Sequence, residues 1–318
     1  MRDLFLREIN YLRISVTDLC NLRCKYCMPE SGISKTKHSD ILTLEEIEEI
    51  AKAFVGLGIN KIRITGGEPL VRHGILHLVQ KIAQIKGVSD LAMTTNGLLL
   101  KSYAKGLKEA GLTRVNISLD TLQAERYSDI TRKGQLKDVL EGIEEAKRVG
   151  LKPIKLNVVL MGGFNEDEIE TFVNLTKNEE IDVRFIELMP TGEATHWALH
   201  HFIPNATVLE KMNALVKVED EDISSAATYY RLPESKGRVG LINPISCKFC
   251  AACNRVRLTS QGKLQLCLHS NEEIDLRGPL RRGEKLEPII LEAINRKPES
   301  HHLEDGQYIK KNMGQIGG

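Results

Sequence analysis

The strongest constraint on this chain is a rhythm. From residue 11 to residue 188, strand-like and helix-like segments alternate at a pitch of roughly 30 residues, the size of one βα unit. The strand-like segments are YLRISV (11–16), KIRIT (61–65), DLAMTTN (90–96), RVNISLD (114–120), IKLNVVL (154–160) and VRFIEL (183–188). Helical periodicity marks 43–59, 73–85, 100–111, 135–150 and 166–178. Thr43 and Glu46 form a capping box at the head of the first helix. In 135–150, Leu136, Val139, Leu140, Ile143 and Ala146 share one face. Such alternation predicts a parallel sheet with helices outside it. Six units are too few for a closed eight-stranded barrel and suit an open, partial (βα)6 barrel of the TIM type or a doubly wound sheet. In either, chemistry sits at the carboxyl ends of the strands. The informative loops follow those ends: a cysteine-rich loop after strand one, GGEP (66–69), TTNG (94–97), SLD (118–120) and ELMP (187–190).

After about residue 190 the rhythm stops. TGEATHWALHHF (191–202) reads as loop, short β-like runs dominate from about 220, and a helical segment returns near 284–296. Residues 1–220 are expected to form the barrel core, and residues 221–318 a C-terminal module packed on it. A net charge of +1 gives no overall field toward nucleic acid or a membrane. No apolar run of about 18 residues exists, and the start, MRDLFLREIN, has no signal-peptide core. The expected compartment is the cytoplasm, where clustered cysteines serve as metal ligands or catalytic groups more than as disulfides.

Six of the seven cysteines fall in two groups, 20/24/27 and 247/250/253, and Cys267 follows. The first group is spaced C-x3-C-x2-C. Structural zinc prefers four ligands in paired knuckles. Three thiolates suit an iron–sulfur cubane with one iron left open. A pair of structural zinc sites in a non-catalytic module stands as the alternative.

CNLRCKYC (20–27) after a first strand, with GGEP after the second, resembles the radical S-adenosylmethionine superfamily. The resemblance implies a 4Fe-4S cluster on Cys20, Cys24 and Cys27 whose open iron chelates S-adenosylmethionine, and reductive cleavage to a 5′-deoxyadenosyl radical. It places Tyr26 beside the adenine, Gly67 at the methionine amino group, and Ser118 and Met189 near ribose and adenine. Each also has a structural reading: surface tyrosine, tight turn, strand-end cap and core packing respectively.

FCAACNRVRLTSQGKLQLC carries Cys250, Cys253 and Cys267 at C-x2-C-x13-C. With it the resemblance narrows, over nearly the whole chain, to the GTP 3′,8-cyclase family of molybdenum cofactor biosynthesis. That implies a lyase with a second 4Fe-4S cluster on Cys250, Cys253 and Cys267, met by the purine of GTP. Cys247 departs from the family spacing; as a fourth ligand it would close the second cluster or make a zinc site. GTP would be the substrate, cyclised between C3′ and C8. Arg13, Arg63, Thr94, Lys155, Arg255 and Arg257 match family contacts to it. Guanidinium groups suit phosphate, and basic residues on strands buried on both faces need an anion. No GxxxxGK[ST] loop is present, so GTP would be a carbon substrate and not a phosphoryl donor. The resemblance further implies that Gly317 and Gly318 enter the barrel and assist the chemistry, and that a flavodoxin- or ferredoxin-like protein donates electrons. A homodimer is compatible with it. The rival enzyme is a radical maturase acting on a peptide, which would not react with GTP.

Overall fold

All six expected strands form: β1 (Tyr11–Ser15), β2 (Lys61–Thr65), β3 (Asp90–Thr95), β4 (Arg114–Ser118), β5 (Ile154–Leu160) and β6 (Ile181–Glu187). They pair in that order, each parallel to the last. The computed structural model describes residues 1–318 apart from 34, 35, 220, 221, 223, 307 and 318. The helices between the strands are α1 (Leu44–Gly56), α2 (Ile75–Ala83), α3 (Leu100–Glu109), α4 (Ala124–Thr131), α5 (Leu136–Arg148) and α6 (Ile169–Asn178).

The capping box expected at α1 is present. The Glu46 N–H donates to Thr43 Oγ1 at 3.2 Å, and the Thr43 N–H donates to Glu46 Oε2 at 2.8 Å. On α5, Leu136, Val139, Ile143 and Ala146 are buried; Leu140, expected with them, is 41% exposed. The helix α4 is additional to the expected set. Residues 191–202 are a correction: they contain a helix, α7 (Thr195–His201), and not only loop. A second short helix, α8 (Ala206–Lys211), follows.

The C-terminal part contributes β7 (Val216–Val218), β8 (Ala227–Arg231), β9 (Val239–Ile242), β10 (Arg255–Leu258), β11 (Lys263–Gln265) and β12 (Ile274–Asp275), then α9 (Arg277–Arg281), α10 (Leu286–Asn295) and α11 (Met313–Ile316). One sheet holds all of the strands, in the order β12-β11-β10-β1-β2-β3-β4-β5-β6-β9-β8-β7. The strand β10 extends the parallel core beside β1, and β9 extends it beside β6. Eight parallel strands therefore line up, but β9 and β10 do not pair with each other. The chain between them, residues 243–254, runs from the carboxyl end of β9 to the amino end of β10.

Alternation along the strands sorts the side chains. On β5, Ile154, Leu156, Val158 and Leu160 are buried under the helices. Lys155, Asn157 and Val159 line an interior cavity of about 440 Å³. The same period of two puts Leu12, Ile14, Ile62, Ile64, Val183 and Phe185 in the apolar layer beneath the helices.

Candidate active site

Cys20, Cys24 and Cys27 sit half-buried in the loop after β1 and line the cavity together with Tyr26. Local backbone bonds curl this loop: the N–H groups of Cys27 and Met28 both donate to Cys24 O, at 2.9 and 3.2 Å. The unanticipated α4 holds it from outside. The Arg23 and Lys25 N–H groups donate to Thr131 O and Ile130 O, both at 3.0 Å. Arg132, at the left-handed end of α4 (φ 60°), donates from Nη1 to Arg23 O at 2.9 Å.

The GGEP turn lies flat against the cysteine loop. The Gly67 N–H donates to Thr17 O at 2.7 Å, and the Glu68 N–H to Leu19 O at 2.8 Å. A Cβ on Gly67 would stand 2.4 Å from Leu19 O. Glycine is thus required here by the neighbouring backbone, whatever it also offers a ligand. Glu68, to which the sequence reading gave no role, is fully buried and ties two strand-end loops together. Its carboxylate accepts from Leu70 N–H (3.0 Å), Thr95 Oγ1 (2.8 Å) and Asn96 N–H (2.7 Å). Asn96 in turn donates through Nδ2 to Asn21 Oδ1 at 2.7 Å, inside the cysteine loop. Burial pushes Glu68 up to about 7. Thr94, Ser118 and Met189 line the same cavity from β3, β4 and the loop after β6.

The thiols of this loop are electrostatically uncomfortable alone. Burial, then Cys20, pushes Cys27 up to about 12 even though the Gly314 N–H is directed at it. Burial raises Cys24 and Cys20 as well. Three buried thiols that resist ionisation by themselves are a fitting donor set for a cationic cluster, whose charge would hold them as thiolates.

Tyr26 donates to Asp120 Oδ2 at 2.6 Å, and Val159 N–H donates to Asp120 Oδ1 at 2.8 Å. Burial nonetheless raises Asp120 from 3.8 to about 6. The folded chain therefore keeps a proton here that the unfolded chain releases. This group's contribution to stability is full below about pH 4 and fades as pH rises through about 6. Asp120→Asn is expected to flatten the fall in urea midpoint between about pH 4 and 6; an unchanged slope would show that Asp120 titrates normally.

Cys250, Cys253 and Cys267 line the cavity from the side of the 243–254 crossing; Cys247 is exposed and outside the lining. Arg7 braces the crossing through Nη1, donating to Cys250 O at 3.0 Å. Lys297, 3% exposed, donates to Arg255 O at 2.9 Å and to Leu266 O. Burial raises Cys253, but Lys297, Arg255 and Arg7 outweigh it, so its pKa falls below the ordinary thiol value. Burial raises Cys267. Among the described residues, no three His, Cys, Asp or Glu side chains converge as ligands of one metal ion would. Within each set the thiols lie near enough to raise one another's pKa.

Between the two cysteine sets the interior is strongly basic. Sheet register sets Arg13 beside Arg257 on one flank and beside Arg63 on the other. Neighbouring strands are about 4.8 Å apart, and like charges facing one another are destabilising. Arg63 and Arg257 are 6% and 7% exposed. Lys155 and two arginines absent from the expected set, Arg184 and Arg114, join the same lining. Nε of Arg13, Arg63 and Arg184 and Nη1 of Arg255 are buried with no hydrogen-bond partner. Burial, with neighbouring cations added, lowers Arg257 to about 9 and Lys155 to about 8. Arg63 falls well below its ordinary value for the same reasons, although Tyr11 opposes the shift. Part of the charge is answered: Arg114 pairs with Asp90 at 2.6 Å, and Lys155 lies 3.7 Å from Asp182. The row of arginines has no carboxylate opposite it among these pairs.

The C-terminal tail reaches this interior. Gly314 would place a Cβ 3.2 Å from Met28 Cε and 3.9 Å from Gly67 Cα. Gly317, in the left-handed region (φ 68°), packs against Thr65 and Ser15 and accepts at its carbonyl from Arg257 Nη1 at 2.8 Å. Gly318 lies outside the described residues.

Residues 14–176 match the profile of the radical SAM superfamily, and residues 181–303 match that named Molybdenum Cofactor Synthesis C. The GTP 3′,8-cyclase of Peptoclostridium acidaminophilum is 63% identical over 98% of this chain and 96% of that protein. The GTP 3′,8-cyclase of Alkaliphilus oremlandii is 58% identical over the full length of both. Among solved structures, SuiB of Streptococcus suis bound to the precursor peptide SuiA superposes with a TM-score of 0.65. That match covers 98% of this chain and 77% of SuiB at 15% identity, a likeness of fold alone. No helix among the described residues is long and apolar enough to cross a membrane.

Proposed function

We infer how this cavity works from one premise: the chain belongs to the radical SAM superfamily and, within it, to the GTP 3′,8-cyclase family. It is a lyase that converts GTP to (8S)-3′,8-cyclo-7,8-dihydroguanosine 5′-triphosphate in molybdenum cofactor biosynthesis. Its radical SAM core uses a 4Fe-4S cluster and S-adenosylmethionine. Together, when bound, these supply an electron and a hydrogen-abstracting radical.

The assignment of residues is our own. Cys20, Cys24 and Cys27 hold that first cluster. Tyr26, Gly67, Ser118 and Met189 surround S-adenosylmethionine at the strand ends. Cys250, Cys253 and Cys267 hold a second 4Fe-4S cluster, and the exposed Cys247 takes no part. Arg13, Arg63, Thr94, Lys155, Arg255 and Arg257, with Arg184 and Arg114, hold GTP. Gly317 and Gly318 reach the substrate from the tail. The barrel core ends near residue 220, and residues 221–318 form a module that brings the second thiol set to the open side. A flavodoxin- or ferredoxin-like donor reduces the enzyme in the cytoplasm, and two copies pair as a homodimer.

The observation that carries the substrate reading is the in-register row Arg257, Arg13 and Arg63. Buried cations placed side by side raise the energy of the folded chain unless an anion of several charges lies between them. A triphosphate supplies that charge in a shape guanidinium groups grip two-handedly. A peptide substrate gives no reason for such a row. Water is kept from the reacting centre because both ligands enter a cavity walled by strands, the 243–254 crossing and the tail.

The deciding measurement is an anaerobic incubation with GTP, S-adenosylmethionine and a reductant. It is expected to yield 5′-deoxyadenosine and cyclised GTP together from protein carrying about eight irons per chain. Deoxyadenosine without cyclised nucleotide would overturn the substrate reading, and zinc in place of iron would overturn the cluster reading.

A further inference from the structure

Glu187 closes β6 and is fully buried on the cavity wall. Its immediate successors, Leu188 and Met189, line the half of the cavity assigned above to S-adenosylmethionine. Its carboxylate points the other way, into the start of the 243–254 crossing. Oε2 accepts from the N–H groups of Ile245 and Ser246, both at 3.0 Å. Oε1 accepts from Ser246 Oγ and, more loosely, from the Asn205 N–H at 3.4 Å. Among the described residues no strand pairs with the crossing, so apart from its own turn at 249–253 it depends on ties of this kind. Other ties among the described residues include His301 Nε2 with Pro244 O at 2.8 Å, Arg7 to Cys250 O, Asn254 Nδ2 to Asn10 Oδ1 at 2.7 Å, Tyr11 N–H to Asn254 O at 3.2 Å and Asn205 Nδ2 to Asn243 Oδ1 at 2.7 Å. Asn205 bridges Asn243 to β6 at Phe185 O, and Glu187 joins the crossing directly to the loop on the S-adenosylmethionine side. It does so one residue before Cys247 and four before Cys250.

We propose that Glu187 is a positioning residue that fixes the second cysteine set, and the GTP held beside it, relative to the S-adenosylmethionine half of the cavity. The proposal rests on the two-cluster reading above. A carboxylate suits the task because it accepts three or four bonds and donates none. An amide of the same shape must turn its NH2 toward N–H donors, so at least one bond is lost and two donors are left facing each other. Outer groups that orient metal ligands commonly cost 10- to 100-fold in metal affinity or activity when changed.

The test compares the full-length, anaerobically reconstituted wild type with Glu187→Gln and Ser246→Ala. The second variant removes one donor and leaves the carboxylate, so it stays informative if the first folds poorly. The readouts are iron per chain, the EPR spectrum of the reduced protein with and without GTP, and the ratio of 5′-deoxyadenosine to cyclised product. Glu187→Gln is expected to keep the first cluster's signal and cleavage of S-adenosylmethionine. It is expected to lose or shift the GTP-sensitive signal and to raise the uncoupling ratio about tenfold. Ser246→Ala is expected to move the ratio the same way by a smaller factor. Wild-type spectra and ratios in both variants would overturn the proposal while leaving the two-cluster reading intact. A single cubane in the wild type would overturn both.

Discussion

Cys27→Ser is expected to reduce S-adenosylmethionine cleavage to background, a loss of at least about a thousandfold, with about four irons gone from each chain. Serine keeps the size of the side chain but offers a far poorer iron ligand. Its thiol neighbours, Cys20 and Cys24, are each already needed, and the nearby Asp120 carboxylate is engaged by Tyr26 and the Val159 N–H. The paired control is Cys247→Ser. Cys247 is exposed and outside the cavity lining, so about eight irons and full turnover are expected to survive. Iron analysis and deoxyadenosine formation on the two variants read both outcomes. A normal Cys27→Ser protein would remove the loop from the chemistry, and a Cys247→Ser protein lacking one cubane would make Cys247 a ligand.

Arg63→Leu is expected to have opposite effects on stability and on activity. Without GTP, the Arg63 guanidinium is 6% exposed, its Nε has no partner, and cations flank it. Its compensation within the chain is the face of Tyr11, 5.3 Å from the guanidinium carbon to the ring centroid. Replacing a buried, poorly compensated charge with an apolar side chain is expected to stabilise the free protein by about 1–3 kcal/mol. If Arg63 grips the phosphates as proposed, the same change removes charge-assisted bonds to them, and kcat/KM for GTP is expected to fall about 10- to 100-fold. Thermal melting without nucleotide and steady-state kinetics test the two halves. A lower melting point with unchanged kinetics would make Arg63 a structural residue.

Much of this was legible in the residues. The period-two strands and capped, one-faced helices needed only local chemistry to be read, and the six βα units formed where expected. The parallel partners of β9 and β10 were not legible, because pairing with β6 across some 56 residues and with β1 across some 244 leaves no local pattern. That pairing completes the arginine row, since it sets Arg257 beside Arg13. The helices α4 and α7 lack a side-chain N-cap bond and are eight and seven residues long; neither offers a start signal. Arg184 and Glu187 carried a usable signal. Both are charged positions in the otherwise apolar VRFIEL, and a charge retained on a strand buried on both faces marks the interior or the strand end. Glu68 gave less warning, since its partners come from a different loop.

The missing ladder between β9 and β10 has a consequence for how the protein responds to its surroundings. A barrel closed by hydrogen-bonded strands keeps its shape regardless of what it contains. Here the last side is a clasp made from side-chain ties and, on the two-cluster proposal, from the second cluster. Iron supply would then act on form as well as on reactivity: a starved chain would be a trough with one loosened wall, and a loaded one a sealed vessel.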